Sequence, residues 1–331
     1  MDVAVIGAGI AGSVAYRLLK QAGVDAVLVD AGASASLAGA PLLQVGTTEH
    51  PHRLEAALGP ARARAYVGLS QRSGALLREL VPVTKGGWRL GVQDETEELE
   101  AACEASLRLG LPCSLEQTPM GLARVVPEDG TADLSTLQPP HVKARVEAIE
   151  EGDQLLLRGP DIRCELVVLC GGWSLPSLDD WFREKVYPVR GQLAVLDAAA
   201  PTGGSGQYGH LYWAPVQEGL LVGGARWATP HMEVGETNPV PQPKVSERVL
   251  AWARQHWPQA EVRSERAGIM SFTCDNLPIV GPLPGRSRVV ACTGFGENGL
   301  ALGPACAEFV VQGVLRGRTD LPALVSSSRF V

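Results

Sequence analysis

The chain has 331 residues, 45% hydrophobic and 20% charged, with a formal net charge of −7. That balance fits a folded protein of one large or two interleaved domains and excludes a disordered chain. No run of Lys or Arg exceeds two residues, so a nucleic-acid backbone is disfavoured as the main partner.

The 38 glycines and 24 prolines predict many tight turns, and without a period of three they exclude collagen. Seven cysteines form no Cys-x-x-Cys pair, and the histidines are not at ligand spacing with them. The expectation is a reducing, cytoplasmic setting with no disulfide framework and no metal centre. Met1 to Leu19 is apolar, but Asp2 stands where a signal peptide carries a cation and glycines interrupt it. No uninterrupted apolar stretch of membrane-spanning length occurs, so no span is expected.

Asp2 to Ile6 reads as a short buried strand leading directly into Gly7-Ala8-Gly9-Ile10-Ala11-Gly12. A helix follows from Ala11 to about Gln21 and stops at Gly23; Ala26 to Asp30 is a second buried strand ending in an acid. Strand, glycine loop, helix, strand and acid form the dinucleotide-binding fingerprint. Gly7 allows the tight turn, Gly9 the close approach to a pyrophosphate, and Gly12 the packing of helix on sheet. The helix N-terminus offers N–H groups and positive dipole to the phosphates, and Asp30 would accept from a ribose diol. The acid, with Ala31 and no Arg after it, argues against a 2′-phosphate. The fingerprint alone leaves NAD and FAD open.

Further on, Gly32 to Gly46 is loop-like and Glu49 to Leu80 mostly helical, with Pro60 opening a helix. Val83 to Val92 reads as one strand and Asp94 to Leu109 as a charged helix, its acids a solvated face. Strands are expected at Ala144 to Ile149, Gln154 to Leu157, Cys164 to Cys170, Tyr187 to Leu196, His210 to Val216, Leu220 to Trp227, Val262 to Cys274 and Arg288 to Cys292. Helices are expected at Val245 to His256 and Gly299 to Leu315. Gly203-Gly204-Ser205-Gly206 reads as a flexible loop before Tyr208 and His210, able to cover a site. This order predicts an α/β nucleotide domain with a second domain inserted into it.

Asp275-Asn276-Leu277-Pro278-Ile279-Val280-Gly281-Pro282, followed by Thr293-Gly294-Phe295-Gly296-Glu297-Asn298-Gly299-Leu300-Ala301-Leu302-Gly303-Pro304, resembles the C-terminal signature of the D-amino-acid-oxidase-like (DAO) FAD oxidoreductases. Glycine oxidase and sarcosine oxidase are members. Tyr187-Pro188-Val189-Arg190-Gly191-Gln192 resembles the family's Pro-x-Arg-Gly-Gln strand, and Cys170-Gly171-Gly172-Trp173-Ser174 its second glycine segment. Val146 matches the valine whose backbone meets the adenine. The resemblance implies a Rossmann-like FAD-binding domain, residues 1–45, 138–180 and 272–331. Into it is inserted an α+β substrate domain on a mixed or antiparallel sheet, residues 46–137 and 181–271. Gly7, Ala8, Gly9, Ile10, Ala11, Gly12, Asp30, Ala31, Val146, Cys170, Gly171, Gly172, Trp173, Arg190, Gly294, Phe295, Gly296, Glu297, Asn298, Gly299 and Leu300 would hold the cofactor. The implied reaction moves hydride from a C–H beside an amine nitrogen to flavin N5 and leaves an imine that hydrolyses. Substrate would be a small amine or amino-acid-like molecule, with oxygen or another group as electron acceptor.

The departures bear on substrate. Five residues before the Asp of Asp-x-x-Pro, amino-acid-oxidising relatives carry an Arg that grips the substrate carboxylate; here stands Met270, which cannot donate. Tyr212 is kept before Pro215, and Arg226 either supplies a replacement cation or makes a surface ion pair. The cysteine that binds FAD covalently in monomeric sarcosine oxidases would fall near Gly268, and Cys274 is out of register, so FAD is expected to be non-covalent. Trp173, Trp213 and Trp227 form an aromatic box or pack as core. The helix that relatives carry after Asp133-Leu134-Ser135-Thr136-Leu137 is absent or reduced, because Gln138-Pro139-Pro140 follows at once. Three alternatives remain: an NAD-dependent dehydrogenase, a flavin-binding subunit without turnover, and kinship with the oxidase half of the bifunctional tRNA wobble-uridine enzyme. Acidic charge and the lack of a methyltransferase half weigh against the last.

Overall fold

The computed structural model describes residues 1–32, 38–91, 96–206, 210–317 and 320–330. The chain divides into two compact units: Met1–Leu37, Leu134–Val189 and Met270–Val331 form the first, Ala38–Asp133 and Arg190–Ile269 the second. Residues 38–45 thus fall in the second unit, and 134–137, 181–189 and 270–271 in the first, opposite to the borders drawn from sequence.

The first unit is built on a six-stranded sheet. Its strand order is Ile279–Leu283, Arg286–Thr293, Leu166–Leu169, Val3–Ile6, Ala26–Asp30, Val142–Lys143. All neighbours are parallel except the first pair, an antiparallel hairpin at the edge. Val3 faces Leu166 on one side and Ala26 on the other, and Ile6 faces Leu169 and Val29. Strands covered on both faces must be apolar throughout, and Val3–Ile6 is buried at every position. Helix Ile10–Gln21 packs on helix Gly299–Arg316, where a Cβ placed on Gly303 would stand 3.2 Å from Ile10. A three-stranded meander, Ala148–Glu150, Leu155–Arg158 and Ile162–Cys164, adds Leu155, Leu157 and Cys164 to the core with Phe182 and Val186. Val146 lies in the segment before the meander and not in a strand, half-buried against that core.

The second unit carries an eight-stranded mixed sheet. Its order is Val262–Thr273, Val186–Leu196, Gly219–Gly224, Leu211–Val216, Gly203–Gly206, Gly87–Leu90, Gly121–Val125, Ser114–Thr118; two of these strands run on into the first unit. Gly203–Gly206 pairs parallel with Gly87–Leu90, and the other registers within the unit are antiparallel. Helix Pro243–His256 lays Val245, Val249, Trp252 and Ala253 on the sheet, against Trp213. Helices Pro51–Leu58 and Pro60–Leu80 each open on proline.

Several local expectations are corrected. Val83 to Leu90 is two strands bent at Gly86, whose φ is +116°. Helix Thr96–Arg108 is present, with Glu97 and Glu100 exposed and Glu98 taken by His52 at 2.9 Å; Val92, Asp94 and Glu95 lie outside the described residues. Gly203–Gly206 is no loop but a fully buried strand. A Cβ on Gly204 would stand 2.5 Å from the Trp213 indole, so glycine is what lets that ring lie across the sheet. After Asp133 the chain makes a turn at Ser135–Leu137 and no helix. Strands Ser114–Thr118 and Gly121–Val125, an antiparallel hairpin, lack any period-2 apolar signal because the first is an exposed edge.

Candidate functional site

Three glycine-bearing segments from distant parts of the chain meet in the first unit. The first leaves strand Val3–Ile6 at Gly7, whose φ is +102°. A Cβ there would stand 2.4 Å from the Cys170 carbonyl oxygen, and one on Gly12 would stand 1.8 Å from the Gly7 carbonyl oxygen. Helix Ile10–Gln21 therefore starts flush against the loop. Gly9 caps it without a side chain, and Ser13 N is bonded back to Gly9 O at 2.9 Å. The N–H groups of a first turn point beyond the helix and carry its positive dipole, a ready anion seat. Asp30 ties this loop to the second strand: Oδ2 accepts from Ala8 N at 2.5 Å and Oδ1 from Gly32 N at 2.7 Å. Each oxygen keeps a lone pair for a further donor.

The turn that replaces the missing helix has its own use. Gln138 Nε2 donates to the Ala8 carbonyl at 3.3 Å, and Arg17 Nη2 donates to the Thr136 carbonyl. From sequence Gln138-Pro139-Pro140 reads as a mere interruption, and a single Gln in a Pro-rich run carries no signal of this brace.

The second segment, Cys170 to Trp173, continues strand Leu166–Leu169, with Cys170 N bonded to Ile6 O at 2.7 Å. Gly172, φ +61°, opens a short 3-10 turn, and its α-carbon faces the Ser271 side chain. The third segment is Gly294 to Leu300. Gly296 N donates to Ser271 O at 2.8 Å, and the Phe272 ring lies beside Gly296. Gly299 starts helix Gly299–Arg316 within contact distance of Ile10, so two helix N-termini stand together.

This cluster has polar groups in need of a partner. Ser271 Oγ, Thr293 Oγ1 and Asn298 Oδ1 are buried with no hydrogen-bond partner among the described residues. Buried polar atoms are normally satisfied, so three orphans beside a glycine-lined surface mark the seat of a polar ligand. The donor set fits FAD: helix termini for phosphates, a carboxylate for ribose, and hydroxyls and an amide beside backbone that a ring can approach. Among the described residues no three His, Cys, Asp or Glu gather as a metal site.

The substrate candidates are divided between the units. Met270 is in the first, half-buried, one residue before Ser271 on strand Val262–Thr273. Phe272, two residues on and so on the same strand face, stacks with Tyr187 at 6.2 Å. Tyr212 and Arg226 are in the second unit. The Tyr212 ring lies over Gly223, its strand partner, where a Cβ would stand 2.5 Å from the hydroxyl. Arg226 follows Ala225, φ +54°, in a 3-10 turn just beyond that strand, so both residues occupy one end of the hairpin.

Arg190 is placed otherwise than expected. Nε donates to Glu233 Oε2 at 2.9 Å and Nη2 to Oε1 at 3.0 Å, with Nη1 and Nη2 also on the carbonyls of Asn238 and Met232. The Arg190 and Glu233 side chains are 6% and 1% exposed. This guanidinium is spent inside the second unit, and the buried Glu233 that claims it gives no sequence signal apart from its neighbours. Trp213 is fully buried among Trp252 and Trp257 and packs as core, Trp227 is 47% exposed under Arg248, and Trp173, in the first unit, is half-buried. Tyr208 lies outside the described residues. Cys274 is exposed, just past the strand end.

The motif acid Asp275 is a fastening. It takes Arg329 on both oxygens, at 2.7 and 3.0 Å, and accepts from Leu277 N at 3.1 Å. Burial pushes its carboxyl up, but the Arg329 pair and the Leu277 N–H outweigh this and hold it below the ordinary carboxylate value.

Comparison with known proteins agrees with this geometry. Residues 141–312 match the family described as FAD dependent oxidoreductase (DAO), and residues 5–55 match the NAD(P)-binding Rossmann-like domain. The chain is 28% identical over 99% of its length to the tRNA 5-methylaminomethyl-2-thiouridine biosynthesis bifunctional protein MnmC of Caulobacter sp. (strain K31), and spans 57% of that protein. It is 27% identical to glycine oxidase of Pseudomonas aeruginosa, with 96% of each chain covered. Among solved structures, glycine oxidase from Geobacillus kaustophilus superposes with a TM-score of 0.80 at 22% identity, covering 100% of this chain and 99% of that one. L-proline dehydrogenase from P. horikoshii gives 0.81 at 18% identity, with 99% and 97% covered. At such identities the likeness is one of fold.

Proposed function

Because the chain belongs to the DAO family of FAD dependent oxidoreductases, we propose that it oxidises a C–N bond of an amine or amino-acid-like substrate. The observation that carries the reading is the convergence of three glycine segments on the buried, unpartnered Ser271, Thr293 and Asn298 atoms. FAD, when bound, supplies the acceptor for the two electrons of the C–H bond. The first turns at Ile10 and Gly299 hold the phosphates, Asp30 and Ala31 the ribose, and the Val146 backbone the adenine. Cys170 to Trp173 and Gly294 to Leu300 border the ring and its chain. Cys274 is exposed beyond the strand end and glycine occupies position 268, which supports non-covalent binding. Met270, beside the FAD segments in the first unit, contributes an apolar wall where a carboxylate grip would stand.

A second reading is favoured by the curated relatives: the amine is carried on a larger molecule, a modified tRNA uridine, as their names describe. The purified chain, loaded with FAD, separates the two. It is mixed without oxygen with glycine, with N-alkylated glycines, and with tRNA bearing an aminomethyl-type uridine. Bleaching of the flavin by the free amines supports the first reading, and bleaching by the tRNA alone supports the second. Reoxidation in air then distinguishes an oxidase from a dehydrogenase. A chain that takes up no FAD, or a loaded one bleached by none of these, overturns the proposal.

A further inference from the structure

A cluster of reactive groups that the proposed function does not use lies in the second unit. Cys103 is in helix Thr96–Arg108, and Cys113 immediately precedes the edge strand Ser114–Thr118. Their sulfurs are 2.6 Å apart, Cys113 Sγ also reaches the Cys103 carbonyl at 3.4 Å, and both residues are partly exposed. Behind them stands Arg124, 1% exposed, whose strand position faces Leu115. Arg124 Nη1 donates at 2.7 Å to Ser106 Oγ, one turn from Cys103 on the same helix face, and Arg124 Nε is buried with no partner among the described residues.

The local charge does not balance. Asp129 is the carboxylate of this region, and it is gripped by Arg89 through Nε and Nη2, both at 2.8 Å. Two buried guanidiniums thus share one carboxylate, and an uncompensated buried cation is costly. Burial, then the Arg89 charge, pull Arg124 down to about 9, while Asp129, Cys113 and Cys103 pull the other way. The groups that can become anionic beside it are the two thiols.

We propose that Cys103 and Cys113 form a reversible thiol–disulfide site whose oxidant is hydrogen peroxide, with Arg124 positioned to stabilise the attacking thiolate. Burial and the contact with Cys113 push the Cys103 thiol up to about 12, so Cys103 is assigned the resolving role and Cys113 the attack. Its thiolate attacks one peroxide oxygen, the O–O bond breaks, and water leaves after protonation, giving Cys113 sulfenic acid. Cys103 sulfur then displaces the sulfenic oxygen as a second water, and the S–S bond forms. Two thiols and one peroxide yield one disulfide and two waters, each sulfur giving up one electron. The bond links the last turns of helix Thr96–Arg108 to the start of the edge strand, so its formation fixes one border of the sheet.

The test uses the FAD-loaded chain. It is exposed to equimolar hydrogen peroxide, quenched with an alkylating reagent, digested without reduction and analysed by mass spectrometry. The expected product is a Cys103–Cys113 cross-linked peptide, with two of the seven thiols lost and both restored by a dithiol reductant. In Cys103→Ser the cross-link disappears and a dimedone-trappable sulfenic acid stays on Cys113. In Arg124→Gln the oxidation rate falls about tenfold near neutrality and its pH profile moves upward, while Arg124→Lys keeps the wild-type profile. If Arg124→Gln does not fold, the wild-type cross-link and the Cys103→Ser trapping decide alone. No cross-link, a cross-link to another cysteine, or two thiols still lost in Cys113→Ser overturns the proposal.

Discussion

Gly12 shows how little freedom one residue at the site has. A methyl group there would occupy the space of the Gly7 carbonyl, 1.8 Å away, and backbone cannot step aside as a side chain can. Gly12→Ala must push the helix start off the loop, a strain of about 1–3 kcal/mol by comparison with overpacked cores. Because the displaced N–H groups are those offered to the phosphates, FAD affinity should fall by about tenfold or more, measured by flavin release on dilution. An unchanged affinity would put the pyrophosphate elsewhere. Asp275 makes the matching case for charge. Its folded pKa is depressed, so the Arg329 pair gives its full stabilisation above the ordinary value of 3.8 and loses it as pH falls through the lower folded value. The melting-temperature gap between wild type and Arg329→Met should be constant from neutrality to about pH 5 and close below 3.8. A gap that persists in stronger acid would show that Arg329 acts through its carbonyl contacts at Pro278 and Leu277 instead.

Among elements, those with a strong local signal were legible from sequence and those made by tertiary contacts were not. The strand–loop–helix–strand at the N-terminus and helix Gly299–Arg316 are apolar in an unbroken or periodic way, and they form where expected. Strand Gly203–Gly206 could not be read, since its glycines answer to the Trp213 ring on a neighbouring strand and not to any preference of their own. The glycine segments themselves were legible because glycines and an acid at fixed spacing match what a pyrophosphate and a ribose would require of a backbone. Arg190 was not, because a guanidinium in a strand does not announce the Glu233 that will bury it. That pairing is a prediction in itself. Removing one partner of a buried ion pair costs about 3–5 kcal/mol, so Glu233→Gln should lower the melting temperature clearly. Flavin retention should change far less, since the Arg190 guanidinium is taken up by Glu233 and the carbonyls of Met232 and Asn238. Loss of flavin from Arg190→Met, with stability kept, would return Arg190 to the cofactor.

For the whole molecule, chain connectivity matters more than either unit alone. The chain leaves and re-enters the first unit at 37/38, 133/134, 189/190 and 269/270. Met270 is the first residue after the last passage, and next to it Ser271 bonds Gly296 and faces Gly172. A side chain at 270 is therefore carried on backbone already fixed to two of the three glycine segments. If the substrate lacks the carboxylate of a plain α-amino acid, an apolar side chain at 270 is the selective element, since a buried carboxylate facing it would go unpaired. Met270→Arg should then lower KM for glycine by about 10- to 100-fold, the worth of one charge-assisted two-pronged contact, and raise it for amines without a carboxylate. The measurement is the steady-state KM for both substrate classes, with flavin content held equal. A variant that keeps its flavin and gains nothing on glycine would remove position 270 from the substrate pocket while leaving the FAD site as described, because Ser271, not Met270, makes the contacts that join strand Val262–Thr273 to the glycine segments.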